Sequence, residues 1–189
     1  MEKINFHFII MNNLKVVKAD AISDALIRKY LPNCRILKYS QFKKFKSLSQ
    51  LLPNNKDYII ILYETSPNSG HWCCIMKCDD NYEYFDSYGK EPSNPLSWNK
   101  PDINKLLGQD KPYLDYLIDS SNINTYYNDI DYQSTKNDIN TCGRHCIFRI
   151  LCMIKKDFNL KQYYKFMTTL KNKSNETYDT IVSYMVNLI

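Results

Sequence analysis

The sequence predicts an α+β fold, in which a mixed central β-sheet is flanked by helices. Three apolar segments between positions 57 and 86, rich in β-branched and aromatic residues, are typical of strands. The C-terminal half carries apolar residues at helical spacing. A chain of 189 residues can bury about 70% of its unfolded surface. We therefore expect residues 1–189 to form one domain without metal or disulfide staples.

The first predicted element is a helix over Ala19–Leu31, which Pro32 would stop. Apolar residues recur along this segment at the spacing of one helical face. That face would consist of Ile22, Ala25, Leu26 and Tyr30. We expect the helix to serve in packing.

The predicted sheet begins with a buried strand over Asp57–Tyr63, followed by a loop at positions 65–70. Two further strands, His71–Lys77 and Tyr82–Asp86, are joined by a polar turn at positions 78–81. His71 opens the first of them and Asp86 closes the second. Antiparallel pairing would bring both to the same end, where side chains across the ladder lie within about 5 Å.

The remainder of the chain is predicted to be mainly helical. Short helices are plausible around Ile103–Leu107 and Tyr113–Ile118, within a polar stretch. A longer helix would start at Cys142 and contain the apolar run Ile147–Ile154. Two amphipathic patterns follow, the first through Leu160, Tyr163, Tyr164, Met167 and Leu170, and the second through Tyr178, Ile181, Val182, Met185 and Val186.

Charge and cysteine usage narrow the class of protein. The formal charge is +5, but Lys43, Lys44 and Lys46 form the one tight basic cluster, so a solvated surface is favoured over a nucleic-acid patch. The seven cysteines are odd in number and no secretory signal precedes them, which favours free thiols over a disulfide framework. No apolar run approaches the roughly 18 residues of a membrane span. We expect a soluble protein without membrane association.

A nucleophilic thiol is predicted at Cys142, which precedes Gly143 at the start of a helix. Amides at a helix N-terminus stabilise a nearby negative charge, and a thiol needs such help and a base to ionise at neutral pH. His71 is the favoured base because Asp86 can orient it. His7 is expected to be structural or exposed, and His145 to be a helix-surface or second-shell residue.

The other site positions are less strongly specified by the sequence. Cys146 and Cys152 lie deeper in the helix and are assigned to the core, as are Cys73 and Cys74 on alternate strand faces. Trp72 could wall a cleft or simply pack. The backbone N–H of Cys142 is one candidate oxyanion donor. The second is a side-chain amide, for which Gln133, Asn137 and Asn140 compete.

At these residues the chain resembles the clan of cysteine proteases that unites adenain, the adenovirus maturation protease, with the SUMO proteases. The matching motifs are Gly70-His71-Trp72, the segment Tyr84–Gly89, Gln133 and the segment Thr141–Cys146. They span about Tyr58 to Met153. The form of these motifs is most similar to maturation proteases of virophages and polinton-like elements, of the mavirus type.

The resemblance implies a cysteine endopeptidase with a mixed sheet, flanking helices and a site in the groove between them. His71 would be the general base, Asp86 its orienting acid, Cys142 the nucleophile and Gln133 the oxyanion donor. The glutamine usually precedes the nucleophile by six or seven positions in the family, whereas here it precedes Cys142 by nine. An insertion of two residues within positions 134–138 would account for the difference.

The resemblance also implies partners and a setting. Substrates would be viral capsid precursors with Gly-containing sites, cut during virion maturation in the virion or in viral factories of the host cytoplasm. No cofactor is required for the chemistry, although DNA or a short viral peptide would act as an activator. We expect a monomer that does not associate with membranes, and association with DNA is a side hypothesis.

Three other functions stay open at this point. A deubiquitinating or SUMO-removing protease would share the triad and differ in substrate. A non-catalytic zinc protein would use Cys142, Cys146 and His145 together with the group at Cys73, Cys74 and Cys78, although C-x2-C pairs are absent. A binding module without catalysis would carry no specially reactive thiol.

Overall fold

A computed structural model describes residues 18–136 and 138–188. We number its α-helices and strands in chain order. They are α1 (Asp24–Tyr30), β1 (Arg35–Lys38), β2 (Tyr58–Ser66), β3 (Ser69–Cys78), β4 (Asn81–Phe85), α2 (Pro101–Leu107), α3 (Tyr113–Asp119), β5 (Thr125–Tyr127), α4 (Cys142–Lys156), α5 (Leu160–Ser174) and α6 (Tyr178–Asn187). Short 3₁₀ turns cover Tyr39–Lys44, Leu48–Gln50 and Asn94–Trp98.

The five strands form one sheet in the order β1-β2-β3-β4-β5. The three central strands pair antiparallel, whereas β1 joins β2 and β5 joins β4 in parallel. The sheet is therefore mixed, and the predicted α+β class is confirmed. The edge strands β1 and β5 are not predicted from the sequence because each is very short.

Apolar side chains cover both faces of the sheet. On β3, Trp72 and Cys74 face the core formed with α4, α5 and α6, while Cys73 and Ile75 face the core formed with α3 and the 3₁₀ turn at 39–44. This alternation is the ordinary consequence of the two-residue period of a strand. The predicted placement of Cys73 and Cys74 on opposite faces is confirmed.

The hairpin between β2 and β3 is tighter than predicted. The expected loop at 65–70 is instead the paired ends of both strands, closed by a turn at Pro67 and Asn68, with a bulge between Glu64 and Ser66. A Cβ added at Gly70 would collide with the Tyr63 carbonyl oxygen. Glycine at this position therefore permits the close strand pairing that directly precedes His71.

The prediction of a helix over Ala19–Leu31 is wrong in its first turn, because α1 begins at Asp24. The Ser23 hydroxyl caps the helix by accepting from the Leu26 N–H at 3.3 Å. The carbonyl of Ile22 is used by the Trp72 indole at 3.1 Å instead of by a helical N–H. Ile27 is the buried residue of α1. The predicted helices at 103–107 and 113–118 and the three C-terminal helices are confirmed.

A buried ion pair joins the sheet to α4. Arg149 Nε and Nη2 each donate to one carboxylate oxygen of Glu83 at 2.6 Å, and Nη2 also donates to the Phe158 carbonyl at 2.8 Å. Both charged side chains are buried. Bidentate geometry of this kind offsets the desolvation that burying two charges costs. The pair ties the middle of β4 to the helix that begins at Cys142.

We expect Glu83→Gln to lower the free energy of unfolding by about 3–5 kcal/mol, because it leaves the Arg149 charge buried without its partner. Urea unfolding at neutral pH measures the loss. The double variant Glu83→Leu with Arg149→Met should be less destabilised than Glu83→Gln. Lys155→Met, at an exposed position of the same helix, is the control. Equal stability of Glu83→Gln and the control would contradict the expected contribution.

Candidate active site

His71 and Asp86 meet beyond the end of the β3–β4 ladder. The last paired residues are Cys74 and Phe85, so Asp86 continues opposite Cys73, and His71 lies two residues further along the same face. His71 Nε2 and Asp86 Oδ1 are 2.8 Å apart. Both side chains are buried, at 6% and 0% exposure. The contact is thus diagonal, where the sequence predicts a pair directly across the ladder.

Asp86 is held by its neighbours on both sides. Its Oδ1 also accepts from the Tyr88 N–H at 2.9 Å. The Asn128 side chain accepts from the Asp86 N–H and donates to the Asp86 carbonyl, each at 2.8 Å. Among residues 18–136 and 138–188, nothing hydrogen-bonds to Asp86 Oδ2. The carboxylate is therefore fixed in position with one oxygen left unpaired.

Two aromatic rings enclose the imidazole. Tyr88 stacks on His71 with ring centroids 5.0 Å apart, and Trp98 approaches it edge-on, also at 5.0 Å. Trp98 is 43% exposed, so its outer side faces solvent at the mouth of the site. These contacts restrict the ring to one orientation. Nε2 is committed to Asp86, so Nδ1 is the ring nitrogen left for another contact.

Cys142 is the first residue of α4 and is half-buried. Burial raises the pKa of its thiol, but the hydrogen bond and charge of His71 and the backbone N–H groups of Trp72 and Gly143 outweigh this and lower it. For His71 the effects are reversed. Burial lowers the pKa of the imidazole, but the neighbouring Cys73, Asp86 and Cys142 outweigh burial and raise it well above its usual range. Both shifts favour a thiolate paired with an imidazolium.

The other cysteines are set apart by their environments. Burial raises the pKa of Cys34, Cys73 and Cys78 to about 12 and that of Cys152 to about 11. Cys146 is fully buried, and its thiol lies 3.4 Å from the Trp72 carbonyl. The assignment of Cys146 and Cys152 to the core is confirmed. Cys142 is the cysteine whose surroundings favour the thiolate.

Gly143 allows the helix N-terminus to be packed closely. A Cβ at this position would collide with the Ile22 side chain and lie 3.2 Å from Trp72 Cδ1. Trp72 is buried in the core beside α4. Of the two roles considered for this tryptophan, the structure therefore shows core packing.

Gln133 is buried against Ser87, the residue that follows Asp86. Its Oε1 accepts from the Ser87 hydroxyl at 2.8 Å, and its Nε2 donates to the Ile139 carbonyl at 3.2 Å. An amide nitrogen carries two hydrogens, and no further acceptor for it is found in the described part of the chain. The Asn140 side chain is exposed and donates to the Ala19 carbonyl at 2.7 Å. Asn137, the third candidate, lies outside the described residues.

A second buried His–Asp contact supports the start of α4. Asp179 of α6 accepts from the Thr141 hydroxyl, lies 3.2 Å from His145 Nε2 and accepts from the Ser134 N–H at 3.0 Å. One carboxylate thereby holds the residue before Cys142 and the residue after Gln133. His145 is completely buried. The helix-surface interpretation of His145 is wrong, because α6 covers that side of α4. His7 lies outside the described residues.

The cysteine and histidine set considered for zinc is not assembled at one place. Cys73 and Cys74 lie on opposite faces of the sheet, and the His145 side chain is hydrogen-bonded to Asp179. A different group does converge: the donor atoms of His71, Cys73 and Asp86 all lie within 4.8 Å of one another. This group shares two members with the candidate triad.

Several supporting residues were missed by sequence reasoning. Tyr88 lies within the motif around Asp86 and could have been noticed there. Asn128, Trp98 and Asp179 are separated from the triad in sequence and carry no local signal of their contacts. No helix among the described residues is both long and apolar enough to span a bilayer.

Comparison with known proteins places the chain among viral sequences. No family model matches it. It is 31% identical over 175 residues to the uncharacterized protein V9 of Sputnik virophage, an alignment that covers 92% of this chain and 98% of V9. Identity at this level over nearly the whole of both proteins indicates common descent. The chain belongs to the family of virophage proteins that includes V9.

Proposed function

We propose that the protein is a cysteine endopeptidase with His71, Asp86 and Cys142 as its catalytic triad. The observation that supports it best is the arrangement around His71, whose Nε2 lies 2.8 Å from the buried Asp86 and whose imidazole lowers the pKa of the nearby Cys142 thiol. A base, its orienting carboxylate and a thiol at a helix N-terminus are the components of thiol acyl transfer. The fold is proposed to be that of adenain and the SUMO proteases.

The proposed reaction proceeds through an acyl-enzyme. The Cys142 proton passes to His71 Nδ1, and the thiolate attacks the peptide carbonyl carbon. The oxyanion is stabilised by the Cys142 backbone N–H and by Gln133 Nε2. The imidazolium then protonates the departing amine, and a thioester links the acyl group to Cys142. Water, deprotonated by His71, hydrolyses that thioester and restores the thiol.

The proposed substrates are viral capsid precursor proteins, cut at Gly-containing sites during virion maturation. The virophage relative supports a viral setting, and the clan resemblance supports the substrate class. We further propose that the enzyme works as a monomer in the virion or the viral factory, with DNA or a viral peptide as activator. Faster cleavage of a ubiquitin-like fusion than of capsid precursor would instead assign it to deconjugation of host proteins.

Cys142→Ala and His71→Ala should each abolish cleavage of the virophage capsid precursor, with losses on the order of 10⁴-fold or more in kcat/KM. Cys146→Ala, which removes a buried thiol from the same helix, should retain most of the rate. Gel-based cleavage assays at equal enzyme concentration measure the three variants. An active Cys142→Ala enzyme would exclude the mechanism.

Alkylation of Cys142 by iodoacetamide should persist at pH 6, where ordinary thiols react slowly. Because the pKa of Cys142 is lowered, its thiolate survives as pH falls below the ordinary thiol range, until the thiolate itself is protonated. Mass spectrometry should show labelling of Cys142 at least about tenfold faster than of half-buried Cys78, whose pKa is about 12. His71→Ala should slow the labelling of Cys142, because the imidazole that lowers its pKa is lost. Equal labelling of both cysteines in the wild-type chain would favour a non-catalytic binding module.

Gln133→Ala should lower kcat by about 10² to 10³, because one oxyanion donor is lost. Alkylation of Cys142 should stay fast in this variant, since forming the thiolate does not require the oxyanion site. Asn140→Ala is the matched control, because it removes the competing amide from an exposed position. The reverse result, with Asn140→Ala impaired and Gln133→Ala active, would transfer the role to Asn140.

A further inference from the structure

Three buried side chains of different chemistry lie together on one face of the sheet, where β3 begins and β4 ends. They are His71, Cys73 and Asp86, each at or below 6% exposure. Their donor atoms, one nitrogen, one sulfur and one oxygen, all lie within 4.8 Å of one another. Nitrogen, thiolate sulfur and carboxylate oxygen are the three ligand types that Zn²⁺ takes in proteins.

Two atoms of this group have no role in the proposed reaction. Asp86 Oδ2 is buried and has no hydrogen-bond partner in the described ranges 18–136 and 138–188. A buried carboxylate oxygen without a partner is costly, and a cation is one partner that removes that cost. The Cys73 thiol has no step in the peptidase mechanism, yet it lies on the same strand face as His71, two residues away.

We propose that His71, Cys73 and Asp86 bind a Zn²⁺ ion that switches the active site off. Metal–ligand bonds of about 2.0–2.3 Å place the ligands of a tetrahedral zinc about 3.5 Å apart. Donor atoms within 4.8 Å of one another would need to approach slightly, and His71 Nε2 and Asp86 Oδ1, now 2.8 Å apart, would need to separate to admit the ion. A water molecule or the Cys142 sulfur completes the coordination.

The inhibitory effect follows from which imidazole nitrogen the metal takes. Zinc on Nε2 replaces the contact with Asp86 Oδ1 and keeps the single proton of the neutral ring on Nδ1. Nδ1 then cannot accept the proton of Cys142. Cys73 binds as thiolate, so its proton is released to solvent. This inhibitory effect rests on the proposed peptidase function, whereas the metal site itself does not.

Zinc binding is tested in the full chain carrying Cys142→Ala, which removes the nucleophile as a competing ligand. Two further variants are made in this background. One carries Cys73→Ser, and the other carries Cys74→Ser as a control, because Cys74 lies on the opposite face of the sheet. Competition with a chromophoric chelator measures affinity, and elemental analysis measures metal per chain. The parent should bind one Zn²⁺. Cys73→Ser should weaken binding by at least about tenfold to 100-fold, and Cys74→Ser by less than about threefold.

Thermal unfolding separates lost binding from lost folding. Zinc should raise the Tm of the parent and of Cys74→Ser, because a ligand that binds only the folded state stabilises it. At the same zinc concentration it should raise the Tm of Cys73→Ser much less, with the metal-free melting curve still cooperative. Equal zinc affinity in the two serine variants, or no binding to the parent, would overturn the site.

Activity assays test the switch separately. Zinc should inhibit peptide cleavage by the chain with Cys142 intact, and Cys73→Ser should relieve that inhibition at least about tenfold, whereas Cys74→Ser should not. Inhibition that Cys73→Ser does not relieve would overturn the switch by placing the metal on Cys142. A chain that binds zinc through Cys73 but cleaves no peptide would overturn the proposed function and leave the metal site standing.

Discussion

The register between β3 and β4 is the constraint on which the candidate site depends. Side chains alternate between the two faces of a strand, so a slip of one residue would move Asp86 to the face opposite His71. The register is held at one end by the turn at Asp79, whose N–H donates to the Asn55 side chain at 2.7 Å. In the middle it is held by Glu83, which is paired with Arg149 of α4. Arg149 lies about two helical turns after Cys142. This one ion pair therefore positions β4, which leads into Asp86, against α4, which begins at Cys142.

The central strands and the C-terminal helices were predictable because their signals are local. A continuous β-branched run, a polar turn and apolar residues at helical spacing each depend on a few neighbouring residues. The edge strand Thr125–Tyr127 carries no such signal, since its three residues gain their structure from pairing with β4. The start of α1 was misjudged because the Ile22 carbonyl is used by Trp72, a residue 50 positions away.

The same division applies to the candidate site. His71, Asp86 and Cys142 were chosen from residue type, order and motif, and the structure brings their side chains together. The residues that hold them were not chosen, because Asn128 and Asp179 act through contacts between distant segments. In the segment before Cys142, the Ile139 N–H donates to the Lys136 carbonyl at 3.1 Å. The number of residues between Gln133 and Cys142 could not predict this hydrogen bond.

Gly143 links Cys142, the proposed nucleophile, to a segment that lies far away in sequence. The Ile22 side chain occupies the space that a Cβ at position 143 would need. Glycine after the nucleophile is thus required by packing, independently of any part it takes in stabilising an oxyanion. The constraint belongs to the pair of positions and not to one of them. Among related virophage proteins, we expect residues 22 and 143 to vary together, with a larger residue at 143 tolerated only where a smaller one replaces Ile22.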